Sequence, residues 1–303
     1  MHTNEKQEII RLLEVKAETL GSYNKVAKNI DVSPGTISNI RNNNWSSISD
    51  KKRIEIGLKL GYRSGKWAIS TETRDYQHIM KFMGQIKSQS SFQIICDRAG
   101  ASKTTGLKAF ADNTHSTHYM SAREWGSRVF MVELMKTLGV KGISSKRTAD
   151  QLLQMIIDHL TNDLTEKPMI IIDEADKLKP GAVRMLIYIF NALEDAISVV
   201  ISGAEALRKH IARGVAYSHL GYDELESRFG RSYMPMVGAN KQDVAAICRV
   251  NGVFEEESIN AIWMDVPKTL AQRQNTRNET VVHDMRRLKK LVQIEQLKLK
   301  HYA

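Results

Sequence analysis

Two short stretches, read together, restrict this chain more than anything else in it. The first is "FQIICDRAGASKTTGLKAF", residues 92–110: an apolar strand, a loop of small residues, Lys-Thr-Thr, then a helix-like run. The second is "MIIIDEADKL", residues 169–178, in which apolar residues run into Asp173-Glu174. A loop between a strand and a helix turns successive backbone N–H groups and a helix N-terminus toward one anion. Lys103 adds a point charge for phosphate, and the Thr104 hydroxyl is placed for Mg²⁺. An acid pair closing a second strand supplies the rest: Asp173 for the metal shell, Glu174 to orient and deprotonate an attacking water. Either stretch alone is commonplace. About 70 residues apart, with a strand and helices between them, they point to a phosphate-binding ATPase site.

The loop departs from the G-x-x-x-x-G-K-[ST] pattern at both framing glycines. Asp97 stands at the first and Ser102 at the second, while Gly100 remains between them. The nucleotide-binding set is residues Asp97, Arg98, Ala99, Gly100, Ala101, Ser102, Lys103, Thr104 and Thr105. A carboxylate beside an anion nest repels phosphate unless it is turned away, and a non-glycine residue resists positive φ. The expectation is therefore modest ATP affinity and slow turnover, with glycine at both positions tightening ATP binding.

Apolar runs at 92–96, 117–120, 169–173, 197–202 and 232–236 are candidate strands. Helical periodicity marks segments near 103–112, 124–138, 148–162, 181–193 and 204–212. Strands separated by helices predict an α/β fold with a parallel sheet covered on both faces. After residue 240 the pattern turns helical in "KQDVAAICRVNG", "ESINAIWMD" and "TVVHDMRRLKKLVQIEQLKLK", which predicts a lid-like bundle. The predicted division is 1–62 helix-turn-helix module, 63–75 linker, 76–238 ATPase core and 239–303 helical lid.

Arginines at two places fit this layout. "ELESRFGR" sets Arg228, and Arg231 after it, just before the last strand, where an arginine reaches a neighbouring subunit's γ-phosphate as a finger. Arg286, in "HDMRRLKK", is placed to contact the same phosphate from the lid. Ser202, closing the fourth strand, is the one polar residue there suited to sense phosphate.

In the first sixty residues, Ile9, Ile10, Leu12, Leu13 and Val15 form an apolar stripe on a first helix, and shorter helices follow. Ser33 and Pro34 are the cap and first position of the third. Ala27 and Ile37 have the spacing of a helix-turn-helix, with Asp31 where glycine is usual. Thr36, Ser38, Asn39 and Arg41 would then face DNA phosphates and base edges.

The balance of charge agrees. With 44 Lys+Arg against 34 Asp+Glu, the net charge of +10 favours a polyanionic partner. No apolar run approaches the ~18 residues that a bilayer span needs, and "MHTNEKQEII" is too polar for a signal peptide. Cys96 and Cys248 have neither metal nor disulfide spacing, and "HSTH" (115–118) reads as structural. The expected location is cytoplasmic, with no membrane partner.

Taken in order, "VSPGTISNI", "IICDRAGASKTT", "IIIDEADKL", "LESRF" and "HDMRRL" resemble the AAA+ regulators of DNA transposition, the MuB, TnsC and IstB-like group, over nearly the whole chain. The resemblance implies an AAA+ P-loop NTPase core. It also implies ATP-dependent oligomers or helical filaments on duplex DNA, with little sequence preference and close to the bacterial nucleoid. Such proteins deliver target DNA to a DDE transposase and turn over ATP on contact with it. It assigns ATP and Mg²⁺ as cofactors, Lys103, Asp173, Glu174 and Arg228 to catalysis, Thr104 and Asp173 to the metal, and Arg286 to the nucleotide. Arg123, Arg128, Lys146 and Arg147 are then the candidates for DNA contacts inside the ring. Ala204 departs from the group, which has a polar sensor there. Two other readings stay open: a sequence-specific regulator with a nucleotide-controlled oligomeric switch, and a helicase loader.

Overall fold

The computed structural model describes residues 3–62, 67–144, 146–162, 167–231, 233–271 and 279–301. Residues 63–66 of the expected linker and Ser232 of the last candidate strand lie outside them. The chain divides into two compact units, one of 1–73, 239–268 and 286–303, the other of 74–238 and 269–285.

The first unit opens with helices α1 (Thr3–Leu20), α2 (Tyr23–Asn29), α3 (Pro34–Arg41) and α4 (Asp50–Lys59). Their shared core is Ile9, Leu13, Ala17, Val26, Ala27, Ile30, Ile37, Ile40, Trp45, Ile48, Ile56 and Leu60. On α1 the buried positions are thus 9, 13 and 17, a four-residue step along one face. Val15, expected in the stripe, falls on the opposite side and is exposed. Serine caps three of these helices: Ser22, Ser33 and Ser49 each accept the N–H three residues on. Between α2 and α3, Asp31 takes φ 53°, the left-handed turn for which glycine is the usual choice. The same unit contains α12 (Lys241–Val250), α13 (Glu256–Asp265) and most of α14 (Met285–His301). Asn240 and Asp243 form a reciprocal capping box at the start of α12. Asn251, just after α12, exchanges two hydrogen bonds with the backbone of Ala68.

The second unit is built on a five-stranded parallel sheet in the order β2-β3-β4-β1-β5. Its strands are β1 (Phe92–Cys96), β2 (Thr117–Ser121), β3 (Met169–Asp173), β4 (Ser198–Gly203) and β5 (Tyr233–Met234). Helices α5 (Arg74–Gln89), α6 (Lys103–Asn113), α7 (Ser127–Leu138), α8 (Ala149–Asn162), α9 (Pro180–Leu193), α10 (Glu205–Ala216) and α11 (Tyr222–Arg228) complete it. Alternation along the strands feeds two apolar layers. Phe92, Ile94, Ile170, Ile172, Val199 and Ile201 share a core with Phe130, Leu134, Leu186 and Phe190 of α7 and α9. Ile95, Met169, Ile171 and Val200 share the other with Ile79 and Met83 of α5 and Leu107 and Phe110 of α6. Gly106 allows α6 to lie close on α5, since a Cβ there would stand 2.5 Å from Ile79 Cδ1.

One expectation is overturned after residue 268. "TVVHDM" does not begin the last helix. Glu279–Val281 forms β7, antiparallel to β6 (Thr269–Ala271), and helix starts only at Met285. The β-branched run Thr280-Val281-Val282 is stiff at χ1 and fits the pleated hairpin better than a helical turn.

Candidate nucleotide site

Parallel pairing brings the C-terminal ends of β1, β3 and β4 side by side, where ligands of open α/β sheets bind. β1 delivers the loop 97–102 and β3 delivers Asp173-Glu174. The loop turns through Gly100 at φ 89° and Ser102 at φ 61°, so Ser102 does occupy the left-handed region that glycine fills at no steric cost. α6 then begins at Lys103.

Lys103 is buried, and its ammonium donates to the carbonyls of Asp97 and Arg98, both at 2.8 Å. Burial pulls its pKa below the ordinary lysine value, and the charges of Asp97 and Asp173 oppose that shift. At the next residue, the Thr104 hydroxyl donates to Asp173 Oδ2 at 2.6 Å. Tyr119 OH donates to the same oxygen at 2.9 Å, and the Glu174 N–H reaches Oδ1 at 2.9 Å. A carboxylate that is only 2 % exposed is thereby held by three donors. Because Thr104 gives its proton to Asp173, its lone pairs remain free for a hard cation, which suits Mg²⁺ with its few protein ligands.

Glu174 sits in the left-handed region, φ 56°. Its Oε2 accepts the Ser121 hydroxyl at 2.8 Å, and its Oε1 pairs with Lys177 at 2.9 Å. Ser202 is fully buried, and its hydroxyl has no hydrogen-bond partner among the described residues.

The Asp97 carboxylate is turned toward the exit of β5 and the backbone of its own loop. Its Oδ2 accepts the N–H of Met236 at 2.7 Å, and its Oδ1 that of Arg98 at 2.5 Å. Both carboxylate oxygens are thus occupied by backbone N–H groups, while the charge of Asp97 still acts on Lys103.

The remaining candidates lie elsewhere. Arg228, the last residue of α11, pairs with Glu224 at 2.8 Å and stacks its guanidinium 4.8 Å from the Phe190 ring centroid. Arg231 has φ 52° and is mostly exposed, 3.7 Å from Asp223. Arg286 is the second residue of α14, in the first unit. Arg123 and Lys146 are exposed, whereas Arg128 donates to the carbonyls of Arg147 and Ser144, and Arg147 contacts the Met155 sulfur. In the first unit, Ser38 and Arg41 are exposed, with Arg41 5.0 Å over the Tyr23 ring. Thr36 shares a hydroxyl–hydroxyl bond with Ser33, and Asn39 donates to Ser47.

Sequence reading missed Tyr119, Ser121 and Lys177. Residues 119 and 121 alternate on one face of β2, and the register sets Ser121 opposite Asp173. The signal present was a polar residue ending a strand, and its meaning depends on knowing that β2 is the neighbour of β3.

Residues 86–211 match a family model described as "AAA domain". Among solved structures, the ORC1 protein of Aeropyrum pernix in complex with DNA is similar at 11% identity, over 77% of this chain and 62% of that one, with a TM-score of 0.51. The ORC2 protein of the same organism, in ADPNP–ADP complexes, gives 13% identity, 66% and 58% coverage and a TM-score of 0.49. Drosophila ORC bound to DNA gives 13%, 85%, 63% and 0.42. This chain thus spans less than two thirds of the length of each of these proteins. No curated protein matches it. The fold is that of an AAA+ P-loop NTPase, and the AAA-domain match covers the loop 97–102, Lys103, Thr104, Asp173 and Glu174.

Proposed function

We propose that this protein is a Mg²⁺-dependent, DNA-associated ATPase that assembles on duplex DNA with little sequence preference and hands that DNA to a DDE transposase. The observation that carries the ATP-dependent part is the cluster at the ends of β1 and β3, with β4 between them: Lys103 on the loop carbonyls of Asp97 and Arg98, and Thr104 and the Glu174 N–H on the Asp173 carboxylate. The DNA-associated part is supported by the net charge of +10 and by the capped α2–α3 pair with Ser38 and Arg41 exposed. The ORC1 structure of similar fold is itself a complex with DNA. The transposase partner rests on the motif order alone, which resembles that of the phage Mu target-capture ATPase, MuB.

In this reading the loop amides and Lys103 bind the β- and γ-phosphates, and Thr104 and Asp173 hold Mg²⁺. The cation would neutralise charge developing on the transferred phosphoryl group. Glu174 takes the proton of the attacking water, after giving up its bond to Ser121 or Lys177. Arg228 is the finger offered to a neighbouring subunit, and Arg286 the contact from α14. Arg123, Arg128, Lys146 and Arg147 line the DNA path, and Thr36, Ser38, Asn39 and Arg41 add contacts from α3.

Electron microscopy with duplex DNA, with and without ATP, tests the proposal. Wild type should form filaments only with ATP, Lys103→Ala none, and Glu174→Gln filaments that persist. ATP-independent coverage of DNA, or none with ATP, would overturn it. Exposed α3 residues also support a second reading, a sequence-specific regulator, which footprinting would reveal as one discrete protected site.

A further inference from the structure

Asp97 stands where phosphate loops of this spacing carry their first glycine. Its side chain reaches across to the neighbouring strand. Oδ2 accepts the N–H of Met236, two residues beyond the end of β5, and β5 pairs with β1 through Ile95 and Met234. The carboxylate therefore bridges the exits of two adjacent strands. Oδ1 accepts the N–H of Arg98, the next residue in the loop. The carbonyls of these same two residues, Asp97 and Arg98, receive the Lys103 ammonium at 2.8 Å. The peptide that Oδ1 anchors, Asp97–Arg98, thus supplies one of the two carbonyls that orient Lys103, and the next peptide supplies the other. At the far shoulder of the loop, the Gly100 carbonyl accepts the N–H of Met285 at 3.1 Å.

We propose that Asp97 is a positioning residue for the nucleotide loop, pinning it to the exit of β5 so that Lys103 is held for phosphate. Glycine at this place gives a loop freedom to wrap an anion; here a side-chain hydrogen bond to a buried segment fixes the wrap instead. Met236 is buried, so losing the carboxylate would leave its N–H without that acceptor. This inference rests on the ATP-site reading and reverses the effect expected from charge alone.

The test compares wild type with Asp97→Asn, Asp97→Ala and Asp97→Gly, each checked for cooperative thermal unfolding. Asparagine keeps an oxygen that can accept the Met236 N–H; alanine and glycine do not. By calorimetry, ATP affinity should fall about tenfold in the alanine and glycine variants and stay within about threefold of wild type in the asparagine variant. If all three bind ATP more tightly, the carboxylate acts by repulsion and the proposal is wrong. A second readout needs no nucleotide: hydrogen exchange in the peptide carrying Met236 should be about tenfold faster in the alanine and glycine variants and unchanged with asparagine. Equal protection in all four proteins overturns the pin. Absence of ATP binding by wild type would sink the functional reading, while the exchange experiment would still decide the role of Asp97.

Discussion

At the scale of single residues, the site is governed by which oxygen each donor holds. Both oxygens of Glu174 are engaged, one by the Ser121 hydroxyl and one by Lys177. In the proposed mechanism, Glu174 must leave one of these bonds before it can take a proton from water. Ser121→Ala removes one restraint, and ATP turnover without DNA should rise about threefold, as one weak hydrogen bond predicts; a fall in phosphate release would show that Ser121 instead aims the carboxylate correctly. Tyr119 works on Asp173, whose Oδ2 it shares with Thr104. Partners outside the metal's own ligands typically change metal affinity by about 10–100-fold. Tyr119→Phe should therefore raise the Mg²⁺ concentration for half-maximal ATPase about tenfold, with metal-free nucleotide binding unchanged in calorimetry. Equal losses in both would place Tyr119 in packing only.

At the scale of elements, caps and edges decide what holds. The Ser33 hydroxyl bonds both the Thr36 N–H and the Thr36 hydroxyl, fixing the first turn of α3. Ser33→Ala should lower the stability of the α1–α4 core by about 1 kcal/mol, visible in urea unfolding, and weaken any DNA contact that α3 makes. A change below about 0.3 kcal/mol would mean that Pro34 alone sets the helix start. The same elements show what a sequence can and cannot reveal. β1 and β3 were legible to the residue, because buried parallel strands are short continuous apolar runs bounded by polar turns. The meeting of Thr104 with Asp173 was legible because a strand-loop-helix with Lys-Thr and a strand ending in Asp-Glu are complementary halves of one pattern. α5 was hidden: Arg74, Asp75 and other polar residues start it, and the stretch before it is aperiodic. β6 and β7 have three residues each, too few to show a period of two. Tyr119 and Ser121 acquire their meaning only from the strand order, which local pattern does not encode.

At the scale of the whole molecule, charge and assembly set the remaining expectations. A net +10 chain that binds duplex through phosphates should lose about three orders of magnitude in affinity between 50 and 200 mM salt, if about six phosphates are contacted. Fluorescence anisotropy with two unrelated duplexes measures both that slope and the sequence dependence; a shallow slope with strong preference for one duplex would favour the regulator. Arg228 is tied at home to Glu224 and Phe190, whereas Arg231 is more exposed. Arg228→Ala should leave a folded, ATP-binding monomer that no longer assembles on DNA; normal filaments would transfer the finger role to Arg231. The strand order has one more outcome, and it concerns time. β1 is synthesised early, yet its two neighbours in the sheet, β4 and β5, lie more than a hundred residues downstream. At about 5–20 residues per second, β1 waits on the order of ten seconds with both edges unpaired, the state in which a nascent chain is most prone to stick to others. Ribosome-bound chains stalled between β3 and β4 should therefore be captured by chaperones more strongly than chains stalled after β5.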